Sequence, residues 1–106
     1  MSPAVPAQHV VPIEEAACQV AVDPDRLAGV TLSPDARAAI ENAEADTETV
    51  ERRCVRCSTE QARDLLEYFD RAAATLQLDG DYERSTSCAQ AAEQLRRTLE
   101  GPVLTT

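Results

Sequence analysis

The sequence predicts an all-α protein: a small antiparallel bundle of three helices, or four, preceded by an extended proline-rich N-terminal arm. Its apolar residues are small, because alanine dominates and the aromatic residues are only two tyrosines and one phenylalanine. Such a core suits closely packed helices better than a β-sandwich, which draws on aromatic and β-branched residues. From residue 33 onward, apolar positions recur at helical spacing between residues that typically start and stop helices.

The arm is predicted to cover residues 1–30, which include Pro3, Pro6 and Pro12. Proline fixes the backbone in extended or turn conformations and interrupts helices. Residues 13–22 form a short apolar segment that Asp23-Pro24 ends. This segment could be a two-turn helix or a strand, and its glutamates and alanines favour the helix.

The bundle is predicted to span residues 31–106. Its first helix is predicted at about 34–57. Ser33 is a suitable N-cap, and Pro34 suits the first helical position. Small or apolar residues then follow at alternating spacings of four and three, the pattern of a heptad seam. They are Ala36, Ile40, Ala43, Thr47, Val50, Cys54 and Cys57.

The second and third helices are predicted at about 59–78 and 81–100. Ser58 and Gln61 match a capping box, and Asp79-Gly80-Asp81 supplies a turn whose glycine ends one helix and whose second aspartate caps the next. The second seam comprises Ala62, Leu65, Leu66, Phe69, Ala72, Ala73 and Leu76, and the third Tyr82, Cys88, Ala89, Ala92, Leu95 and Leu99. Short connections predict antiparallel neighbours.

The stretch Gly80-Asp81-Tyr82-Glu83 resembles the turn of a tetratricopeptide hairpin and, equally, the helical pair of HEPN-type domains. The resemblance covers about residues 62–100 and implies the geometry of a helical hairpin. It implies no activity, because HEPN RNases rely on an arginine followed by a histidine, and no histidine follows Arg84, Arg96 or Arg97.

The charge of the chain limits its partners. The net charge is −9, and nucleic acids and anionic membranes require a basic footprint, so we expect neither as a partner. No apolar run approaches the roughly 20 residues that span a bilayer, and the N-terminus does not match a signal peptide. We therefore expect a cytoplasmic protein with reduced cysteines.

A metal or redox site is the first chemical hypothesis. Cys54 and Cys57 form a single C-x-x-C pair, with Cys18 as a possible third thiol, whereas a structural zinc site needs four ligands. The opposing interpretation is that Cys54, Cys57 and Cys88 are small core residues, since all three lie on predicted seams. We expect no cofactor.

Two charged groups on the predicted first helix are candidates for binding a partner. The acidic row comprises Glu41, Glu44, Glu48 and Glu51, whose spacing places them on one side of a helix. The basic cluster comprises Arg52, Arg53 and Arg56, which could hold an acidic helix of a partner. Side by side, the two groups would also suit antiparallel self-association, so a homodimer is possible.

No catalytic pattern is present: the chain has three glycines, one histidine, no G-x-S-x-G motif and no phosphate loop. We therefore expect no enzymatic activity, and the sequence favours a protein–protein interaction module or a small subunit of a larger assembly. The alternatives are a thiol-based redox or metal-responsive protein that uses Cys54 and Cys57, and an acidic partner of the antitoxin or immunity type.

Overall fold

The computed structural model describes residues 8–22, 27, 29–45 and 51–100, and within them it is a mixed α and β structure. Four helices accompany a three-stranded antiparallel sheet, so the prediction of an all-α bundle with an extended arm is wrong. In chain order the elements are β1 (Gln8–Glu14), α1 (Glu15–Val22), α2 (Pro34–Glu41), β2 (Glu44–Ala45), β3 (Arg52–Ser58), α3 (Thr59–Leu78) and α4 (Tyr82–Glu100).

The sheet has β3 at its centre, between β1 and β2. β1 pairs with β3 along seven residues, with Val11 opposite Val55, while Glu44 and Ala45 are the described residues of β2 that pair with β3. Pro12 fits its place in an edge strand, because a residue without an N–H costs least there. Residues 8–14 of the predicted arm therefore form a strand of the sheet.

Alternation along the strands gives the sheet two different faces. The inner face carries residues that are fully buried: Val11, Ile13, Val55 and Cys57. The outer face carries Val10, Pro12 and Glu14 from β1, Arg52, Cys54 and Arg56 from β3, and Glu44 from β2. Val10 on this face is 54% exposed, and Arg52, Arg56 and Glu44 are exposed as well.

The predicted helix at 34–57 corresponds to a helix only as far as Glu41. Its start is confirmed: the Ser33 side chain accepts a hydrogen bond from the Ala36 amide at 3.3 Å, and Pro34 is the first helical residue. Beyond Asn42 the described residues form β2 and β3 instead. The heptad spacing in this part of the chain is coincidental, since burial from Arg52 to Ser58 follows the period of two of a strand.

The last two predicted helices correspond to α3 and α4, which pack together as an antiparallel hairpin. The capping box is confirmed by reciprocal bonds between Ser58 and Gln61, at 3.1 Å and 2.8 Å. Gly80 adopts φ +86° in the turn, a conformation that glycine accepts without strain. The Asp81 side chain then accepts from the Arg84 amide at 3.2 Å and so caps α4.

The predicted seam of α3 is confirmed at the five positions that are fully buried: Ala62, Leu65, Phe69, Ala72 and Leu76. In α4, Cys88, Ala92 and Leu95 are buried as predicted, but Tyr82 and Ala89 are exposed and Ala91 is buried instead. The difference arises because α4 packs against β1 as well as α3, which rotates its buried face.

The short helix α1 joins this core through Tyr68, whose hydroxyl donates to the Val20 carbonyl at 2.9 Å. The same ring packs edge-on against Phe69, with centroids 5.5 Å apart. The preference for a helix over residues 13–22 is correct from Glu15 onward, while Ile13 and Glu14 belong to β1. No helix of the described chain is long and apolar enough to cross a membrane.

Two alanine substitutions distinguish the observed strand from the predicted helix. Val55→Ala should lower the free energy of unfolding by about 2 kcal/mol, because Val55 is fully buried in the sheet. Arg56→Ala, at an exposed position, should change it by less than about 0.5 kcal/mol. Urea titration followed by circular dichroism measures both; equal small effects would contradict the burial of Val55.

Candidate functional site

The strand β3 separates the three arginines of the basic cluster. Arg52 and Arg56 lie on the outer face, exposed, and neither forms an ion pair with the described residues. Arg53 lies on the opposite face and is half-buried. The three side chains therefore cannot act together on one partner, because successive residues of a strand point to opposite faces.

Arg53 has an internal role. Its guanidinium makes two hydrogen bonds to the carboxylate of Glu15, one through Nε and one from Nη2 to Oε1 at 2.7 Å. These bonds and the nearby negative charge raise the pKa of Arg53 above its usual value. The pair joins β3 to the first residue of α1, where a carboxylate also complements the helix dipole. Arg53 is therefore a structural residue rather than a free contact for a partner.

The acidic row is also dispersed. Glu41 lies in α2 and pairs with Arg37 at 2.9 Å, and Glu44 lies on β2 opposite Cys54. Glu51 precedes β3, and Glu48 lies outside the described residues. Glu41, Glu44 and Glu51 share no helix face, since the helix that would have aligned them ends at Glu41.

The described residues form a cleft of about 800 Å³, which we call the acidic cleft. It lies between the β1–α1 junction, the start of β3 and the first turns of α4. Its lining comprises Glu14, Glu15, Ala16, Glu51, Arg52, Asp81, Glu83, Arg84 and Ser87. Five carboxylates thus face two arginines, so the cleft is negatively charged.

Ion pairing within the cleft leaves three carboxylates available. Arg84 pairs with Asp81 at 3.5 Å, and Glu15 is held by Arg53. Glu14, Glu51 and Glu83 form no ion pair with any residue that the structure describes. Carboxylates without a cation accept charge-assisted hydrogen bonds from guanidinium or ammonium groups, which makes the cleft suitable for a basic ligand.

Backbone geometry positions these carboxylates. The Glu15 amide donates to the Glu51 carbonyl at 2.7 Å, which fixes the residue before β3 next to the start of α1. Asp81 and Glu83 belong to the cap and first turn of α4, where negative side chains are favoured. Of the residues that line the cleft, only Glu51 and Arg52 were predicted from the sequence to bind a partner, because the cleft brings together distant parts of the chain.

The cysteines of the C-x-x-C pair point to opposite faces of the sheet. Cys57 is fully buried on the inner face, whereas Cys54 is half-buried on the outer face between Arg52 and Arg56. Residues three apart in a strand cannot turn their side chains toward each other. The pairing register therefore separates the two thiols that the redox hypothesis requires to act together.

The other cysteines belong to the core. Burial raises the pKa of the Cys18 and Cys88 thiols to about 12 and also raises that of Cys57. All four cysteines are free, and among the described residues no three His, Cys, Asp or Glu side chains are grouped to hold a metal ion. The core interpretation is thus correct for Cys57 and Cys88, but not for the half-buried Cys54.

His9, which falls within the predicted extended arm, lies in β1 opposite Cys57. Its Nε2 is 3.1 Å from Oγ1 of Thr59, the first residue of α3. The histidine therefore connects the edge strand to the start of the longest helix. Among the described residues, no group of His, Cys, Asp or Glu side chains that could hold a metal ion includes His9.

No protein-family model matches the chain, and no match was found among curated proteins or solved structures.

Alkylation of the native protein should distinguish the four thiols. In dilute solution near pH 8, iodoacetamide should modify Cys54 first, because the reactive species is the thiolate and the other thiols are buried. For Cys18 and Cys88, a pKa near 12 instead of 9 lowers the thiolate fraction on the order of 10³-fold.

Mass spectrometry should accordingly find one fast site in the native protein and four in denaturant. Cys54→Ser should remove the fast site. Rapid native labelling of Cys18 or Cys88 would contradict the burial of these side chains.

Proposed function

We propose that this protein is a non-enzymatic protein–protein interaction module that holds a basic segment of a partner in the acidic cleft. The observation that carries the proposal is the charge of the cleft: five carboxylates and two arginines line it, and Glu14, Glu51 and Glu83 form no ion pair with a described residue. The partner that fits is a protein segment rich in arginine or lysine.

The cleft has the dimensions of a binding site. Ligand sites typically occupy 300–1,000 Å³, within which its volume of about 800 Å³ falls. It is lined almost entirely by charged residues rather than apolar and aromatic ones, which favours a charged protein segment over a drug-like molecule. The net charge of −9 would also steer a basic partner toward the protein and accelerate association.

We place this function in the cytoplasm, where the four free cysteines remain reduced. The module would either neutralise a basic protein, as antitoxin-like and immunity-like partners do, or attach to one within an assembly. Both modes use the same contact between the carboxylates of the cleft and the cations of the partner.

The test is the affinity for a short peptide that alternates arginine and serine, measured by fluorescence anisotropy at physiological ionic strength. The double variant Glu51→Gln with Glu83→Gln should weaken binding about fivefold to tenfold. Each lost exposed ion pair contributes up to about 1 kcal/mol. The effect should diminish as salt is added, because exposed charges are screened.

The matched control is Glu60→Gln with Asp70→Asn, which removes the same charge from exposed positions of α3 that do not line the cleft. This variant should bind the peptide within about twofold of the unsubstituted protein. Equal losses in both double variants would mean that the peptide responds only to net charge, and the assignment of the cleft would be wrong.

A further inference from the structure

We propose that the outer face of the sheet binds a second copy of this chain, in a two-fold symmetric contact that pairs Arg52 of each copy with Glu14 of the other. This inference does not rest on the proposed function. It concerns the face around Cys54, although Glu14 and Arg52 also line the acidic cleft.

The outer face is charge-balanced and is open around Val10, Arg56 and Glu44, whereas Glu14 and Arg52 border α4. Val10 is 54% exposed, and the side chains of Arg52, Arg56 and Glu44 are exposed beside it. The face carries two carboxylates, those of Glu14 and Glu44, and two guanidinium groups, those of Arg52 and Arg56. None of the four forms an ion pair with a residue that the structure describes.

The balance of charge favours a second copy as the occupant. A net charge of −9 makes two copies repel each other through most of their surface. A face on which charges of both signs are present and unpaired therefore favours a contact between copies. A two-fold interface places the same patch on both sides, so the patch must complement itself.

The strand register supplies that complementarity. Glu14 lies directly opposite Arg52 across β1 and β3, and Val10 lies opposite Arg56. The proposed two-fold axis runs parallel to β1 and β3, midway between them, in the plane that separates the two facing copies. Rotation about this axis places each residue of one copy over the cross-strand partner of that residue in the other copy. Arg52 of one copy then lies over Glu14 of the other, twice in the interface, and the stem of Arg56 lies over Val10.

The test is sedimentation velocity across a series of protein concentrations, with reductant present so that Cys54 does not form a disulfide. The unsubstituted protein should form a dimer as its concentration rises. Arg52→Glu and Glu14→Arg should each raise the dimer dissociation constant by about 10-fold or more, because each creates two like-charge contacts. The double variant with both reversals should restore the dimer, since it recreates both ion pairs.

Two controls locate the contact. Arg96→Glu makes the same change of charge at an exposed position of α4, and the dimer should survive it. The cleft variant Glu51→Gln with Glu83→Gln should also leave the dimer intact. Loss of the dimer in either control would overturn the placement of the interface.

The remaining outcomes would also overturn the proposal. A protein that stays monomeric at every concentration does not use this face for self-association. If Cys54 also resists alkylation in that monomer, another part of the same chain covers this face. A dimer that tolerates the single reversals, or one that the double reversal does not restore, would exclude the Arg52–Glu14 contact.

Discussion

The pairing of β1 with β3 is the interaction on which the rest of this structure depends. It joins residues 38 to 50 positions apart, so it fixes the beginning of the described chain against its middle. Closing a loop of this length costs on the order of 3 kcal/mol in chain entropy. Once the helices cover the inner face that this pairing creates, burial of Val11, Ile13 and Val55, at roughly 1.5–3 kcal/mol each, offsets that cost.

The same register determines which charges reach the surface. It turns Arg53 inward, where Glu15 binds it, and leaves Arg52 and Arg56 on the outer face. It also brings the β1–α1 junction beside the first turns of α4, which forms the acidic cleft. The proposed binding of a basic segment and the proposed self-association both follow from this arrangement. The acidic cleft and the outer face share Glu14 and Arg52. Occupation of the cleft and contact between copies would therefore influence each other.

Local features could be predicted from the sequence, and the long-range pairing could not. Ser33 and Ser58 predict helix starts and Gly80 predicts a helix end, because capping depends only on neighbouring residues. The structure has these helix ends where they were expected. The strand β3 was missed because Cys54 and Cys57 happen to continue a heptad spacing. The position of Val55, a β-branched residue off that seam, was the available indication of a strand. The cleft has no local pattern, since its carboxylates come from three separate segments.

The most direct test of this account is nuclear magnetic resonance of the backbone. The pairing of β1 with β3 predicts cross-strand proton contacts that join residues 10–13 to residues 53–56, with Cα chemical shifts typical of strands over Arg52–Ser58. These contacts would establish the register from which both the acidic cleft and the outer face are derived. Helical shifts running without interruption from Pro34 through Cys57, with no contacts between the two segments, would contradict it.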